Sequence, residues 1–402
     1  MSTPATTNPT APPPASAARD PRHTGVTSEH FTASVILGLM IPIAAGVVAF
    51  GFRSLAVIAG VIAATMAASW LLRSERRFVV RPRPDRVLAP ALLLAAMLPA
   101  DWAGGSVLLD GQVYRLWPLI PVAGLLLGGL LLLLSGLGSG RLNAILVSYL
   151  AVTLVASAAM MPAGVLQRST LAMGDVLDLP ARVAEPKKVP WFAAPQDPSH
   201  AAIRMTPPAQ QLILFTSGSA PPQRSWTTLE GLLRDTMPPL EDLILLGVPA
   251  PIGSASAIAV IVGGLLMVYR GVTDWRIPLV IVAAAFAALL VLPVPVVVTD
   301  QGVQRFWFAG SARGVGWPMA VTLANYELLA SPLLFTAFFL APLPSIRPMN
   351  RGARVIYAAC IGVAAAAMQL YVSVHAGPYL ALLAISLLSP SFDRFARARA
   401  IL

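Results

Sequence analysis

Cys360 is the only cysteine in this 402-residue chain. Without a second thiol there is no intrachain disulfide, and no cysteine-based zinc or iron–sulfur site. Cys360 lies in an apolar run and reads as a small packing residue. Histidine is nearly as scarce: His23, His30, His200 and His375 are scattered, without the spacing of a metal site. Charge is scarce as well. Asp, Glu, Lys and Arg make up 11% of the residues against 56% hydrophobic ones, too little polar surface for a water-soluble protein of this length. The sequence has no phosphate-cradling glycine loop of the Walker or dinucleotide type. No Ser/His/Asp set can be assembled, so neither a catalytic residue nor a metal ligand is assigned.

What is present in quantity is apolar chain. Mean hydropathy is +0.73, and ten apolar segments fall at about 33–50, 54–72, 87–99, 117–137, 142–160, 248–269, 277–294, 318–342, 355–374 and 378–390. Several reach or approach the length that spans a bilayer. The expected fold class is therefore all-α: a multi-pass membrane protein with about ten transmembrane helices in two inverted five-helix halves. Segments 87–99 and 378–390 are short, and 318–342 is interrupted by Asn325-Tyr326-Glu327 and Pro332. Short or broken spans in corresponding halves are a known way to build a site near the midplane. No internal sequence repeat is evident, so the two-half division rests on segment count and orientation.

The formal charge of +10 superficially fits a nucleic-acid binder. In a multi-span chain it reads instead as basic residues collected in cytoplasmic loops, so membrane lipid is the expected partner and nucleic acid is not. With the N-terminus inside and alternating crossings, 17 of the 28 basic residues fall on the inner side. Seven more lie in the long 161–243 stretch, accompanied by eight acidic residues. Only Arg53, Arg115, Arg305 and Arg313 fall in short outer connections. That bias places both termini in the cytoplasm, with ten crossings.

The expected domains are a Pro-rich disordered cytoplasmic tail (1–31), a first membrane half (32–160), an exported Pro-rich loop (161–243), a second membrane half (244–392) and a cytoplasmic C-terminal tail (393–402). The N-terminal stretch "TPATTNPTAPPPAS" does not lead into a short apolar core with a cleavage site, so it is not read as a signal peptide.

Two features carry candidate chemistry. Glu327, in "LANYELLASP", is an ionisable group in an apolar segment, where a carboxylate costs several kcal/mol and needs a cavity or a partner. The bland alternative is that Glu327 sits near the interface and is wet. The second feature is the run Gly253-Ser254-Ala255-Ser256-Ala257 at the start of the sixth segment. Small side chains let helix backbones approach closely. They also let backbone reach a cofactor, and free N–H groups at a helix start favour an anion such as phosphate. Both readings stand at this stage. Arg347, Arg351 and Arg354 read as topology anchors, and Trp275 and Arg276 as interfacial belt and cap residues.

The stretch "IGSASAIAVIVGG" (252–264) followed by "DWRIPL" (274–279) resembles a pattern like "IGETSALAILIGG…DWRIPL". That pattern belongs to the RnfD family of Rnf electron-transport complexes and the related NqrB family of the sodium-translocating NADH:quinone reductase. "FTAFFLAPLPSIRPMNRGARVIYAACIGV" (335–363) and "GPYLALLAISLLSPSFDR" (377–394) are similar to the C-terminal helices of that family. "LLLAAMLPA" (92–100) and "RLNAILVSYL" (141–150) match its first half more loosely.

The resemblance implies a membrane component of a redox-driven ion-translocating complex in the bacterial inner membrane, partnered by other electron-transport subunits. It also implies a covalent FMN, esterified to a Thr of an exported "SGATPL"-like motif. The corresponding place here is "RSWTTL" (224–229), with Thr227 at the modified position if the count runs back from "LEDL" (240–243), and Thr228 if Ser225 is aligned instead. Gly253, Ser254 and Ser256 are the candidate cofactor contacts, with Asn143 and Glu327 as a candidate intramembrane polar site. The chain departs from the family pattern at Ser254 and Ala255, where the family has Glu and Thr, and at Leu340-Ala341-Pro342-Leu343, where "ATDP" has lost its Asp. The alternatives are a solute or ion transporter or channel without a redox cofactor, and a protein that serves only as scaffold.

Overall fold

The computed structural model describes residues 28–71, 84–104, 106–109, 112–136, 142–160, 165–167, 184–188, 201–204, 208–217, 228–235, 237–246, 248–299, 302–311 and 315–399. The tail 1–27 and Thr227 lie outside the described residues.

Each of the ten apolar segments is a helix. In the first half these are α1 (Ser28–Phe50), α2 (Phe52–Leu71), α3 (Pro84–Met97), α4 (Leu119–Gly136) and α5 (Ala144–Val155). A hairpin of β1 (Ser106–Leu109) and β2 (Gln112–Arg115) separates α3 from α4. The second half holds α9 (Ala257–Tyr269), α10 (Arg276–Val291), α11 (Gly316–Ala330), α12 (Leu333–Phe335) running into a π-turn (Thr336–Leu340), α13 (Arg351–Tyr371) and α14 (Gly377–Leu387). Its hairpin is β6 (Val294–Thr299) with β7 (Gly302–Phe306). A further helix, α15 (Ser389–Arg399), continues to the end of the described chain.

Between the halves, described residues of the stretch expected as a loop form strands and helices. It contains β3 (Val165–Gln167), β4 (Ala184–Lys188) and β5 (Ala201–Arg204), then α6 (Pro208–Ser217), α7 (Leu229–Asp235) and α8 (Leu240–Ile244). All three of these helices pack on α11.

Among the described residues three helices are long and apolar enough to cross a membrane: His30–Phe50, Phe52–Leu71 and Arg351–Tyr371. The pair Gly316–Ala330 and Leu333–Leu340, bent by 63°, counts as a fourth if it is one span. Six shorter apolar helices complete the set. The interruption expected at Asn325-Tyr326-Glu327 is not there, since these residues are continuous helix within α11. The break falls at Ser331-Pro332, because proline has no N–H for the helix ladder. Ser331 Oγ accepts from Leu333 N at 3.3 Å, and Thr336 Oγ1 donates to the Pro332 carbonyl at 2.8 Å, so the freed groups find local partners.

Glycine contacts fix helix directions. In α4, a Cβ on Gly124 would lie 2.6 Å from Ala64 Cβ, and one on Gly128 would lie 2.5 Å from Ala68 Cβ, while a Cβ on Gly60 would lie 2.6 Å from Ile120. Residue numbers rise together, so α2 and α4 run parallel. In the second half, Arg354 pairs with Asp274 at 3.3 Å, Gly362 faces Ile281 and Ala285, and Tyr371 donates to the Pro293 carbonyl at 3.0 Å. Thus α10 and α13 are parallel too. The chain between two parallel helices has to return the length of the bundle, and α3 in one half and α11–α12 in the other make that return. The halves meet where α1 crosses α9 antiparallel: Gly46 sits against Ile252, and Gly38 against Gly263. Pro42 removes the N–H that the Gly38 carbonyl would accept from in a regular helix. That carbonyl lies where a Cβ on Gly263 would be, 2.3 Å away.

Candidate functional site

The small-residue run starts with Pro251 and a 3-10 turn, Ile252–Ser254, before α9 begins at Ala257. Ile252 N donates to the Leu98 carbonyl at the end of α3, at 3.1 Å. A Cβ on Gly253 would stand 2.7 Å from Ala96 Cβ and 2.9 Å from a ring carbon of Phe335. Further along, Gly264 is covered by Phe338 and Gly263 by Phe339. The rings of Phe335 and Phe339 stack on each other with centroids 5.2 Å apart. The bent segment after Pro332 therefore lays three aromatic rings into positions that glycines leave free, a close-packing use of small residues.

The hydroxyls of the run are engaged locally. Ser254 Oγ donates to the Pro251 carbonyl at 3.3 Å. Ser256 is the N-cap of α9: its Oγ accepts from Ala259 N at 3.3 Å and donates to the Ile244 carbonyl at 3.2 Å. Asn143 plays the same part for α5, its Oδ1 accepting from Ile145 N at 3.0 Å, while its buried Nδ2 has no partner.

Thr228 is exposed, bridges to Val297 of β6, and its Oγ1 accepts from Gly231 N at 3.3 Å at the start of α7. Its hydroxyl is open to an attaching group, whereas the space over Gly253 is already filled by Ala96 and Phe335.

Glu327 is not wet. It is 1% exposed, and its Oε2 has no hydrogen-bond partner. Gln369, 2% exposed on α13, donates from Nε2 to the Glu327 backbone carbonyl at 3.1 Å, and its own Oε1 is unpartnered. The neighbouring Tyr326 donates to the Pro238 carbonyl at 2.6 Å, tying α11 to the turn before α8. Asp242 on α8 is buried with Oδ2 unpartnered. Burial first, and the Glu241 carboxylate second, hold its carboxyl above the usual range. The structure thus brings Glu327 together with Gln369. It keeps Asn143 on α5, which packs on α3, α4 and α14. Sequence reading passed over Gln369, His375 and Asp242. For Gln369 a signal existed, an amide inside the apolar run "AAAAMQLY".

At the other end of the second half, Arg354 is held three ways. It pairs with Asp274, and donates to the Pro348 carbonyl at 3.0 Å and the Met349 carbonyl at 3.1 Å. Asp393 accepts from Met349 N and Asn350 N, and Asn350 caps α13. Arg347 is partly desolvated beside Arg354, and both effects lower its pKa, with Asp274 opposing. Among the described residues no group of three or more His, Cys, Asp or Glu can hold a metal ion.

Buried parallel helix pairs, a proline-broken helix and polar groups inside apolar helices define a helical membrane protein of the multi-span class, built around short and bent apolar helices. Over residues 21–401 the sequence matches the model of the NQR2, RnfD, RnfE family, and the chain belongs to that family. It is also 27% identical over 167 residues to a subunit of the Na(+)-translocating ferredoxin:NAD(+) oxidoreductase complex of Acetobacterium woodii. That match covers 41% of this chain and 43% of its relative, less than half of each.

Proposed function

We propose that the protein is a membrane subunit of an Rnf/Nqr-type complex that couples electron transfer to ion movement across the bacterial inner membrane. In this reading the ten apolar helices cross in two inverted halves, with both termini cytoplasmic and α6–α8 on the outer side. The observation that carries the proposal is the family match along 21–401. Parallel pairing of α2 with α4 and of α10 with α13 supports full traversal by the segments between them.

The proposal includes an FMN joined through its phosphate to Thr227, or to Thr228 as the alternative. When bound, such a flavin supplies one- and two-electron transfer. The exposed hydroxyl of Thr228 supports this reading, since it leaves the strip open to an attaching enzyme. Gly253, Ser254 and Ser256 serve the helix junction in this reading, since their neighbours already fill the space.

The test is flavin fluorescence in a denaturing gel, on protein expressed in membranes with a flavin transferase. A fluorescent band lost in Thr227→Ala is expected. A band lost only in Thr228→Ala moves the attachment by one residue. No band in the wild-type chain overturns the electron-carrier role and leaves a transporter or scaffold.

A further inference from the structure

Glu327 stands roughly 16 Å along α11 from its first residue, at 1.5 Å per residue. No other Asp or Glu falls within a described apolar helix beyond its first two residues. Its Oε2 is buried without a donor. Charged, the oxygen needs a donor or a cation; neutral, it needs an acceptor for its proton.

Three further unsatisfied groups are placed on neighbouring elements. Gln369 is anchored by its amide nitrogen to the Glu327 carbonyl, which leaves Oε1 as a second acceptor without a donor. The turn after α13 folds back on it: Ser373 N donates to the Met368 carbonyl at 2.9 Å, and a Cβ on Gly377 would be 2.7 Å from Gln369 N. That turn carries His375, 7% exposed, with neither ring nitrogen partnered. Asp242, from α8, contributes a third unpartnered oxygen on an element that packs on α11. Each such group left bare costs on the order of 1–3 kcal/mol. Two such oxygens, on helices joined by the Gln369–Glu327 bond, imply a ligand that satisfies acceptors.

We propose that the Glu327 carboxylate and Gln369 Oε1 form a site for a monovalent cation, a proton or a sodium ion. The carboxylate supplies the charge and the amide oxygen a neutral acceptor. The other titratable groups on elements packed against α11 are Glu230, Arg234 and Asp235 on α7, Glu241 and the buried Asp242 on α8, and Arg276 at the start of α10. Tyr379 on α14, buried against Tyr149 with its hydroxyl unpartnered, is the nearest phenol in sequence to His375 on the far side of that turn from Tyr371. This inference deepens the ion-translocation reading, but its test uses the chain alone, so absence of flavin leaves it standing.

The experiment is labelling of the purified full-length protein in detergent with dicyclohexylcarbodiimide. This apolar reagent adds to a protonated carboxyl, and the site is mapped by peptide mass. Label at Glu327 is expected, with a rate that falls about tenfold per pH unit once the carboxyl ionises. Sodium chloride against choline chloride distinguishes the sources: slowing by sodium alone identifies sodium, and equal rates identify the proton. Gln369→Leu should shift the pH midpoint or weaken sodium protection severalfold, and Gln369→Glu should restore a cation response. Melting temperatures of wild type and Glu327→Gln in the same series give a second readout, in which only the wild type responds to the cation. A rate at Glu327 independent of both pH and sodium overturns the site. So does label that appears only after unfolding, or a Gln369→Leu response equal to wild type.

Discussion

The two sets of five apolar segments use the same pairing and different adhesives. In each half the first helix ends at a glycine in the left-handed region, Gly51 at φ 68° and Gly271 at φ 70°. The second helix of each half then runs parallel to the fourth. In the first half α2 and α4 close on glycine against alanine, with Gly124 and Gly128 over Ala64 and Ala68. In the second half Gly362 makes a comparable approach to α10, but polar bonds pin both ends, Arg354–Asp274 at one and Tyr371–Pro293 at the other. Glu327, Gln369 and His375 also belong to the second half only. One architecture thus carries two halves, of which the second also holds a buried carboxyl, amide and imidazole. Polar side chains at membrane depth are expensive, so the difference points to where chemistry is held.

The sharpest way to break the comparison is through the glycines. Gly124→Ala and Gly362→Ala should each destabilise the protein by about 1–3 kcal/mol, because the added carbon meets backbone oxygen at 2.8 Å and 2.4 Å respectively. Gly129→Ala, on α4 with nothing within 4 Å of its Cβ, should instead stabilise by up to about 1 kcal/mol through helix propensity. Melting curves in detergent would show opposite signs within one helix. Equal signs would mean that the glycines of α4 do not set the distance to α2.

A comparable effect at its upper end is expected at the polar end of the second half. Arg354→Ala removes one ion pair and two bonds to the 348–349 carbonyls, and should cost about 1–3 kcal/mol. Asp274→Asn should cost less, because the carbonyl bonds remain. The double variant measured by the same melting curves gives the coupling. Full additivity would show that the pair contributes nothing in common.

The smallest effect is expected at Asp242. Its carboxyl is raised above the ordinary 3.8 by burial, so the folded state holds its proton longer than the unfolded one. The sign follows: stability is greatest below the ordinary value and declines as pH rises through it toward the raised one. Asp242→Asn should flatten that decline and raise the melting temperature at neutral pH relative to wild type. A parallel pH dependence in both proteins would show that Asp242 is not strained by burial.

Much of the architecture was legible in the sequence, for a plain reason. Apolar length is a local property, and all ten segments read from it are helices. The Pro332 break was legible because proline cannot donate to the ladder. Asn325-Tyr326-Glu327 was misread as an interruption, since polar residues in an apolar run signal a break only if no partner is near. Tyr326 has the Pro238 carbonyl, 88 residues away in sequence, and Glu327 lies against Gln369, 42 residues away. The order within the stretch between the halves was also missed: α6 to α8 are short, and their apolar faces make sense only against α11.

The sequence by itself determined the class, the ten apolar helices and the family resemblance, because hydropathy and the "IGSASA…DWRIPL" pattern are written along the chain. Only the tertiary structure decided what the small-residue run does, and which polar groups lie together. Gly253 could have faced a cofactor or a neighbour, and the rings that cover it and the glycines after it come from a segment about 80 residues on. A side chain's partner in a bundle is set by which helices cross and in which direction, and no local pattern encodes that.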